Sequence, residues 1–288
     1  MVGLKQDEVD QGYTAKTYNY LRITMAVMVA LLFVSVFIEV DAVGCWRTSI
    51  SAYYYTPVRA IFVGTLIAIG AMLIVIKGRT SLEDTLLNLA GLLAPIVAIV
   101  PTSQNATCPS PLDATPVGQD FSPLTLANID NNLTAMVIAG AIGLFLTLGL
   151  MLWKRQNTTT GQWVGLVVMA IAYFVVVGLY YGNEDGFVSN AHGAAAIVLF
   201  LFLIAAILAH VAQRWGDENN PFLPWYLAIA ALMVLGVVVG VIADWRHKIL
   251  HIEMWELGLF AVYWALQTWD YWDDGNRLAT DGGDPSAT

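Results

Sequence analysis

The chain has 288 residues, of which 58% are hydrophobic and 12% are charged. Soluble domains average about 25% charged residues, so this composition argues against a soluble globular protein. The formal net charge is -9, and the absence of a basic footprint argues against a nucleic-acid partner. The acidic residues gather in the tails and loops, which is typical either of a halophilic protein's surface or of an ordinary solubilising one.

Apolar runs of roughly 20 residues, each long enough to cross about 30 Å of hydrocarbon, recur along the chain. They predict an all-α integral membrane bundle of about eight transmembrane helices, in one domain. The alternative is seven spans followed by an interfacial last helix. The predicted helices cover residues 22–40, 57–76, 80–100, 132–153, 163–181, 190–211, 222–243 and 249–269.

Outside the helices, residues 1–20 are predicted to form a polar lead, and 271–288 an acidic tail, around a transmembrane domain at 21–270. The first apolar run has no small-residue cleavage site behind it, which indicates a retained helix and not a signal peptide. Residues 101–130 form the only long predicted loop. Thr80-Ser-Leu-Glu83 predicts a capping box for the third helix.

The distribution of Lys and Arg predicts the orientation. If the N-terminus is inside and eight helices alternate, nine basic residues lie on the inner side and four on the outer side. We therefore expect a multi-pass protein of the cell membrane with both termini in the cytoplasm. Cys45 and Cys108 then face an oxidising exterior that permits a disulfide, with two unrelated free thiols as the alternative. His210 is expected at the inner interface.

Polar residues converge on the predicted outer end, most densely in the segment from Asp244 to Glu256. His247 and His251 are four residues apart and share a helical face. With Asp244, and with His192 at the same predicted depth, they make a candidate ligand set for zinc. The alternative is an interfacial histidine pair beside tryptophans.

Further candidates lie within this segment and near the start of the second predicted helix. Glu253 and Glu256 are candidate proton-transfer groups, and Arg59, Ser51 and Tyr54 are candidate ligand-binding residues at the start of the second helix. A guanidinium at that depth needs a carboxylate or phosphate partner, for which Glu39, Glu253, Glu256 or an anionic headgroup would serve. The tyrosine run Tyr53–Tyr55 has an alternative interpretation as an interfacial aromatic belt.

Some classes are not supported. A retinal protein needs a lysine at mid-depth in its last helix, and the lysines here lie near predicted helix ends. Neither a Walker motif nor a GxSxG nucleophile elbow is present. No inverted repeat or pair of broken helices, which would favour a transporter, is visible.

Two resemblances can be drawn. The run Ser49-Ile-Ser-Ala-Tyr-Tyr-Tyr-Thr56, followed by Phe62-Val-Gly64, resembles a group of uncharacterised prokaryotic multi-spanning membrane proteins, which implies no established activity. The helix number, a serine near helix 2 and the pair His247 and His251 are similar to the membrane hydrolases that include alkaline ceramidases and the progestin and adiponectin receptors. The chain departs from them in lacking a histidine four residues after that serine and a matching aspartate in helix 3.

The sequence thus predicts an outward-facing polar pocket capped by the 101–130 loop. In the enzymatic version, zinc held by His192, His247, His251 and Asp244 lowers the pKa of a bound water toward about 7 for attack on a lipid-like substrate. Glu253 or Glu256 shuttles protons, and Arg59 holds an anionic headgroup. The alternatives are a small-solute transporter, a sensor or receptor without catalysis, and a structural membrane protein in contact with membrane lipids.

Overall fold

The computed structural model describes residues 2–103, 108, 120–216 and 220–272. These residues form eight α-helices and two short 3₁₀ turns, and no strand occurs among them. The fold is therefore the predicted all-α bundle. The helices are α1 (Val2–Val43), α2 (Arg59–Val75), α3 (Ser81–Ile99), α4 (Pro123–Trp153), α5 (Thr160–Gly182), α6 (Glu184–Gln213), α7 (Leu223–Ile242) and α8 (Lys248–Asp270), with 3₁₀ turns at Ser51–Tyr55 and Arg155–Asn157.

Seven of these helices are long and apolar enough to cross a membrane, and the chain is a polytopic membrane protein. The seven include α8, whose 23 residues meet the same criteria as the others. The shortest helix is α2, with 17 residues, or about 25 Å at 1.5 Å per residue.

Several helices begin earlier than the hydropathy pattern predicted. Helix α1 starts at Val2, so the predicted boundary between the polar lead and the membrane domain is not a break in the helix. Helix α4 starts at Pro123 because the Ser122 hydroxyl caps its first turn, accepting from the Thr125 N–H at 3.1 Å. Proline suits that first position since it has no N–H to leave unpaired. Polar residues in the early turns, such as Asp7 and Glu8 in α1 and Asn131 and Asn132 in α4, hide such starts from a hydropathy average.

The core is enclosed by α1, α2, α3, α6 and α8, while α7 packs on α6 and α8. Helix α3 is central and contacts both α2 and α6 along its length. Two glycines permit the close approach of α2 and α3. A Cβ added to Gly70 would lie 2.8 Å from the Gly91 carbonyl oxygen, and a Cβ added to Gly91 would lie 2.6 Å from the Gly70 carbonyl oxygen. Small residues allow such backbone contact between membrane helices.

Helices α4 and α5 lie at the periphery. The buried residues of α4 are Thr125, Ile129 and Leu133, all in its first three turns, and those of α5 are Tyr173 and Tyr180. The remaining apolar side chains of both helices are exposed or half-buried, as expected for surfaces in contact with lipid.

The segment between α1 and α2 folds over one end of the bundle. It leaves α1 through Gly44, whose φ of +68° is a left-handed conformation that glycine adopts without strain. Tyr53, Tyr54 and Tyr55 are each at most 1% exposed, so the aromatic-belt interpretation is wrong and they are core residues. The Arg47 guanidinium lies over the Tyr53 ring at 5.8 Å, and burial lowers the Arg47 pKa.

A disulfide joins Cys45, at the start of this segment, to Cys108, beyond the end of α3. The pairing is the one that the sequence suggested. It ties the segment after α1 to the segment after α3. Half of the predicted 101–130 loop, residues 104–107 and 109–119, lies outside the described residues, as does the acidic tail beyond Trp272.

Replacing both cysteines by serine is expected to lower the free energy of unfolding by about 2–4 kcal/mol, because the cross-link restricts the unfolded chain. Thermal unfolding of the purified protein in detergent, followed by circular dichroism, measures this. A reductant should lower the midpoint of the wild type and leave that of the Cys45→Ser/Cys108→Ser variant unchanged. Equal midpoints for the wild type and the variant, both measured without reductant, would contradict the expectation.

Candidate functional site

A narrow apolar slot lies between α1, α2, α3, α6 and α8 and encloses about 60 Å³. Along α2 it is lined by Phe62, Leu66, Ile69 and Leu73. Their spacing of 4, 3 and 4 residues puts them on one helical face. Eleven residues of helix correspond to about 16 Å, so the slot runs along the bundle axis. The other apolar lining residues are Leu32, Ile50, Ala94, Val97, Ala196, Leu199, Phe200, Leu203, Leu257 and Phe260.

The polar residues that line the slot are Ser51, His192 and Glu253, all at the end covered by the α1–α2 segment. His192 comes from the third turn of α6, Glu253 from the second turn of α8, and Ser51 from the 3₁₀ turn. The slot therefore has one polar end and an apolar remainder. Ionisable groups inside a membrane protein are costly and mark candidate functional sites.

The ring of His192 is held by the end of α3. Its Nδ1 lies 3.0 Å from the Val97 carbonyl oxygen and 2.8 Å from that of Val100. Position 101 is a proline, which has no N–H to donate to Val97, so that carbonyl is free for the imidazole. Because both neighbours of Nδ1 are acceptors, Nδ1 carries a proton, and in the neutral ring Nε2 then presents a lone pair.

Glu253 faces this lone pair. Its Oε2 accepts a 2.6 Å hydrogen bond from the Ile50 N–H, and its Oε1 lies 4.0 Å from His192 Nε2. That distance is too long for a direct hydrogen bond, and Nε2 has no hydrogen-bond partner among the described residues. Two acceptors at this separation suit a group with two N–H or O–H donors placed between them, such as a water or a ligand amine.

Ser51 is fixed from the α3 side. Its hydroxyl accepts from the Thr102 N–H at 2.9 Å and lies 2.9 Å from the Thr102 hydroxyl. The Tyr55 hydroxyl donates to the Thr102 carbonyl oxygen at 2.9 Å. On the other side, the Leu250 N–H donates to the Thr48 carbonyl oxygen at 3.0 Å. The segment that forms the polar end is thus hydrogen-bonded both to the residues just after α3 and to α8.

Arg59 and Tyr54 do not line the slot. They lie in a separate open recess with Pro57, Ala60 and Asn132. The Arg59 guanidinium donates to the Tyr54 hydroxyl at 2.6 Å and lies over the Tyr54 ring at 4.1 Å. Within the described chain its interactions are with this tyrosine and not with the carboxylates that the sequence suggested.

The four predicted zinc ligands are not gathered in one place. His192 meets Glu253, whereas His251 Nδ1 accepts from the Trp245 indole at 3.0 Å, and the rings of His247 and His251 are 6.5 Å apart. The Asp244 side chain is 97% exposed and lies 3.7 Å from Lys248. Among the described residues, no group of three or more His, Cys, Asp and Glu is placed to hold a metal ion. The donor set does not fit zinc.

Glu256 also lies away from the slot, between α8 and α7. It is 1% exposed and packs against Gly236, where an added Cβ would collide with its carboxyl group. Neither carboxyl oxygen has a hydrogen-bond partner within the described part of the chain. Of the two candidate proton-transfer groups, only Glu253 therefore faces the slot.

The sequence also missed features of the site. Thr102 and the carbonyls of Val97 and Val100 position the polar end, and Pro101 was the signal for the free Val97 carbonyl. His210, expected at the interface, is 1% exposed and lies 3.4 Å from Glu83. No family model, curated protein or solved structure matches the chain.

Glu256→Leu is expected to stabilise the protein by about 1 kcal/mol, because it removes two buried oxygens that have no described partner while keeping a similar volume. Glu253→Leu, the matched change on the same helix, removes the acceptor of the Ile50 N–H and should destabilise. Thermal unfolding midpoints of the three purified proteins test this. A lower midpoint for Glu256→Leu than for the wild type would contradict it.

Proposed function

We propose that this polytopic membrane protein binds a single-chain amphiphile, with the apolar tail along the slot and a hydrogen-bond-donating head between His192 and Glu253. The observation that supports this most directly is the pair of facing acceptors, His192 Nε2 and Glu253 Oε1, 4.0 Å apart at the end of an apolar slot. The proposal keeps the lipid-like ligand that the sequence suggested and moves its site from Arg59 to Glu253.

The tail is selected by shape. Lipid tails are as apolar as the slot, so moving a chain from the bilayer into the protein gains little hydrophobic free energy. The enclosed 60 Å³ admits several water-sized groups. A longer tail fits only if the leucine and phenylalanine side chains that line the slot change their conformations. The slot therefore favours one slender chain over a two-chain lipid.

The head supplies the affinity. An amine or ammonium group can donate to both His192 Nε2 and Glu253 Oε1, and a hydroxyl, which has one hydrogen, can donate to one of them. An anionic head is disfavoured because it would meet the Glu253 carboxylate. Hydrogen bonds to charged groups contribute about 1.5–3 kcal/mol, which corresponds to a roughly tenfold or greater gain in affinity.

Dodecanol and dodecylamine should form stable complexes with the purified full-length protein in native mass spectrometry, whereas dodecane should not. Ala196→Leu narrows the slot and should abolish the complexes. Ala194→Leu, at an exposed position two residues earlier on α6, is the matched control and should leave them intact. Glu253→Gln should weaken alcohol binding about tenfold, because its amide can itself donate to His192. Equal binding of dodecane and dodecanol would refute the proposed head site.

Hydrolysis of a bound ester is a second candidate. One observation favours it: the imidazole of His192 presents an unpartnered Nε2 within the slot. Such a nitrogen can take a proton from a water as a general base, and the nearby Glu253 carboxylate would stabilise the imidazolium that forms. This version uses no zinc, because the predicted ligands are not gathered.

Hydrolysis predicts that purified protein releases dodecanoic acid from monododecanoylglycerol. His192→Gln removes the base and should reduce the rate by about 100-fold or more, while His251→Gln, outside the slot, should not. Release can be followed by mass spectrometry of the reaction mixture. Binding of the ester without release would leave amphiphile binding as the function and exclude this hydrolysis.

A further inference from the structure

The opposite end of the bundle contains a second polar site, which we call the arginine pocket. Its defining feature is the ring of Tyr271, over which lie the guanidinium groups of Arg22 at 4.9 Å, Arg79 at 4.7 Å and Arg214 at 5.0 Å. The pocket is lined by Arg22, Ile76, Lys77, Arg79, Glu83, Leu87, His210, Trp264, Gln267 and Tyr271. Eighteen residues of α8 separate it from Glu253, or about 27 Å, so it is distinct from the polar end of the slot.

The cations of the pocket are only partly neutralised. Arg214 pairs with Asp270, and Lys77 pairs with Asp84 at 2.9 Å. The Arg22 guanidinium donates to neutral groups, Gln267 at 2.8 Å and Asn19 at 3.0 Å. Among the described residues, Glu83 remains as the one carboxylate for Arg22 and Arg79 together, since the four cations face three carboxylates there. Within that part of the chain, one positive charge is in excess even when His210 is neutral.

The carboxylate of Glu83 is already engaged. Its Oε2 accepts from the Arg79 backbone N–H at 2.8 Å, and its Oε1 lies 3.4 Å from His210 Nδ1. The Arg79 guanidinium therefore has the Tyr271 ring as its described contact. A guanidinium offers five N–H donors, so donors remain unused in the pocket.

Two further buried groups lack partners. The Tyr271 hydroxyl and His210 Nε2 have no hydrogen-bond partner among the described residues. Both residues are buried, with Tyr271 9% and His210 1% exposed. Leaving buried polar atoms unpaired costs about 1–3 kcal/mol each. Both side chains line the same enclosed space of about 20 Å³, which is room for one oxygen-sized atom.

We infer that the arginine pocket binds a phosphate group, with one anionic oxygen inside the pocket and the others at its mouth near Lys77, whose side chain is 58% exposed. An arginine guanidinium can donate two parallel hydrogen bonds to two oxygens of one phosphate group. Apart from Arg22, which lies within α1, the basic residues of the pocket and Tyr271 lie at or next to helix ends, where a membrane presents its headgroup phosphates. Basic pockets between helices bind such headgroups. The phosphate belongs either to a phospholipid or to a free phosphate in solution.

The test uses the full-length protein purified in neutral detergent without phosphate. Inorganic phosphate is titrated by calorimetry, and phosphatidylglycerol and its neutral counterpart diacylglycerol are offered in native mass spectrometry. Saturable binding of inorganic phosphate would identify a free phosphate as the source. Retention of phosphatidylglycerol over diacylglycerol, without binding of inorganic phosphate, would identify the headgroup. Binding of neither phosphate source would overturn the inference.

Two variants locate the site. Arg79→Gln and Tyr271→Phe should each weaken phosphate binding about tenfold or more. Tyr271→Phe removes only a hydroxyl that has no partner, so the free protein should not lose thermal stability. Arg155→Gln, at an exposed arginine in the second 3₁₀ turn, is the matched control and should bind as the wild type does. Wild-type affinity in both pocket variants, or an equal loss in Arg155→Gln, would overturn the assignment.

Discussion

The contact between the His192 ring and the carbonyl oxygens of Val97 and Val100 determines the geometry of the slot's polar end. It fixes the tautomer of the ring, turns Nε2 toward Glu253 and joins α6 to the end of α3. The contact exists because α3 stops before Pro101, which cannot donate to Val97. Within a membrane an unpaired carbonyl group is costly. The imidazole therefore supplies the donor that the end of α3 lacks, and the same contact fixes the orientation of the ring.

The polar groups of the bundle interior are divided between its two ends, with the apolar slot between them. Among the described residues, His192 Nε2 has no hydrogen-bond partner at one end, where it faces the Glu253 carboxylate, and the Tyr271 hydroxyl has none at the other end, where the Arg79 guanidinium lies over its ring. The two ends are therefore opposite in hydrogen-bonding character. A neutral donor suits the first end and an anion suits the second, which is why the two proposals name different ligand classes.

Hydropathy located every membrane helix, because apolar runs of about 20 residues have few other stable environments. It misplaced the starts of α1, α4 and α6, whose early turns contain polar residues that lower a hydropathy average and, in α4 and α6, are preceded by caps that such an average does not detect. The sequence predicted a disulfide between Cys45 and Cys108, with two free thiols as the alternative, and the structure shows the disulfide. Helical spacing suggested a histidine pair at His247 and His251, but spacing does not say which way a face points, and Trp245 engages His251 instead.

The sequence by itself thus determined the class of protein, the number of its helices and the concentration of polar residues near the helix ends, since these depend on the composition of continuous segments. Only the tertiary structure decided that Glu253 faces the slot while Glu256, three residues later, faces α7. It alone brought Arg22, Arg79 and Arg214 around Tyr271 from four parts of the chain. The physical reason is that both sites are made by contacts between distant helices, whose relative rotation is set by packing at residues such as Gly70 and Gly91.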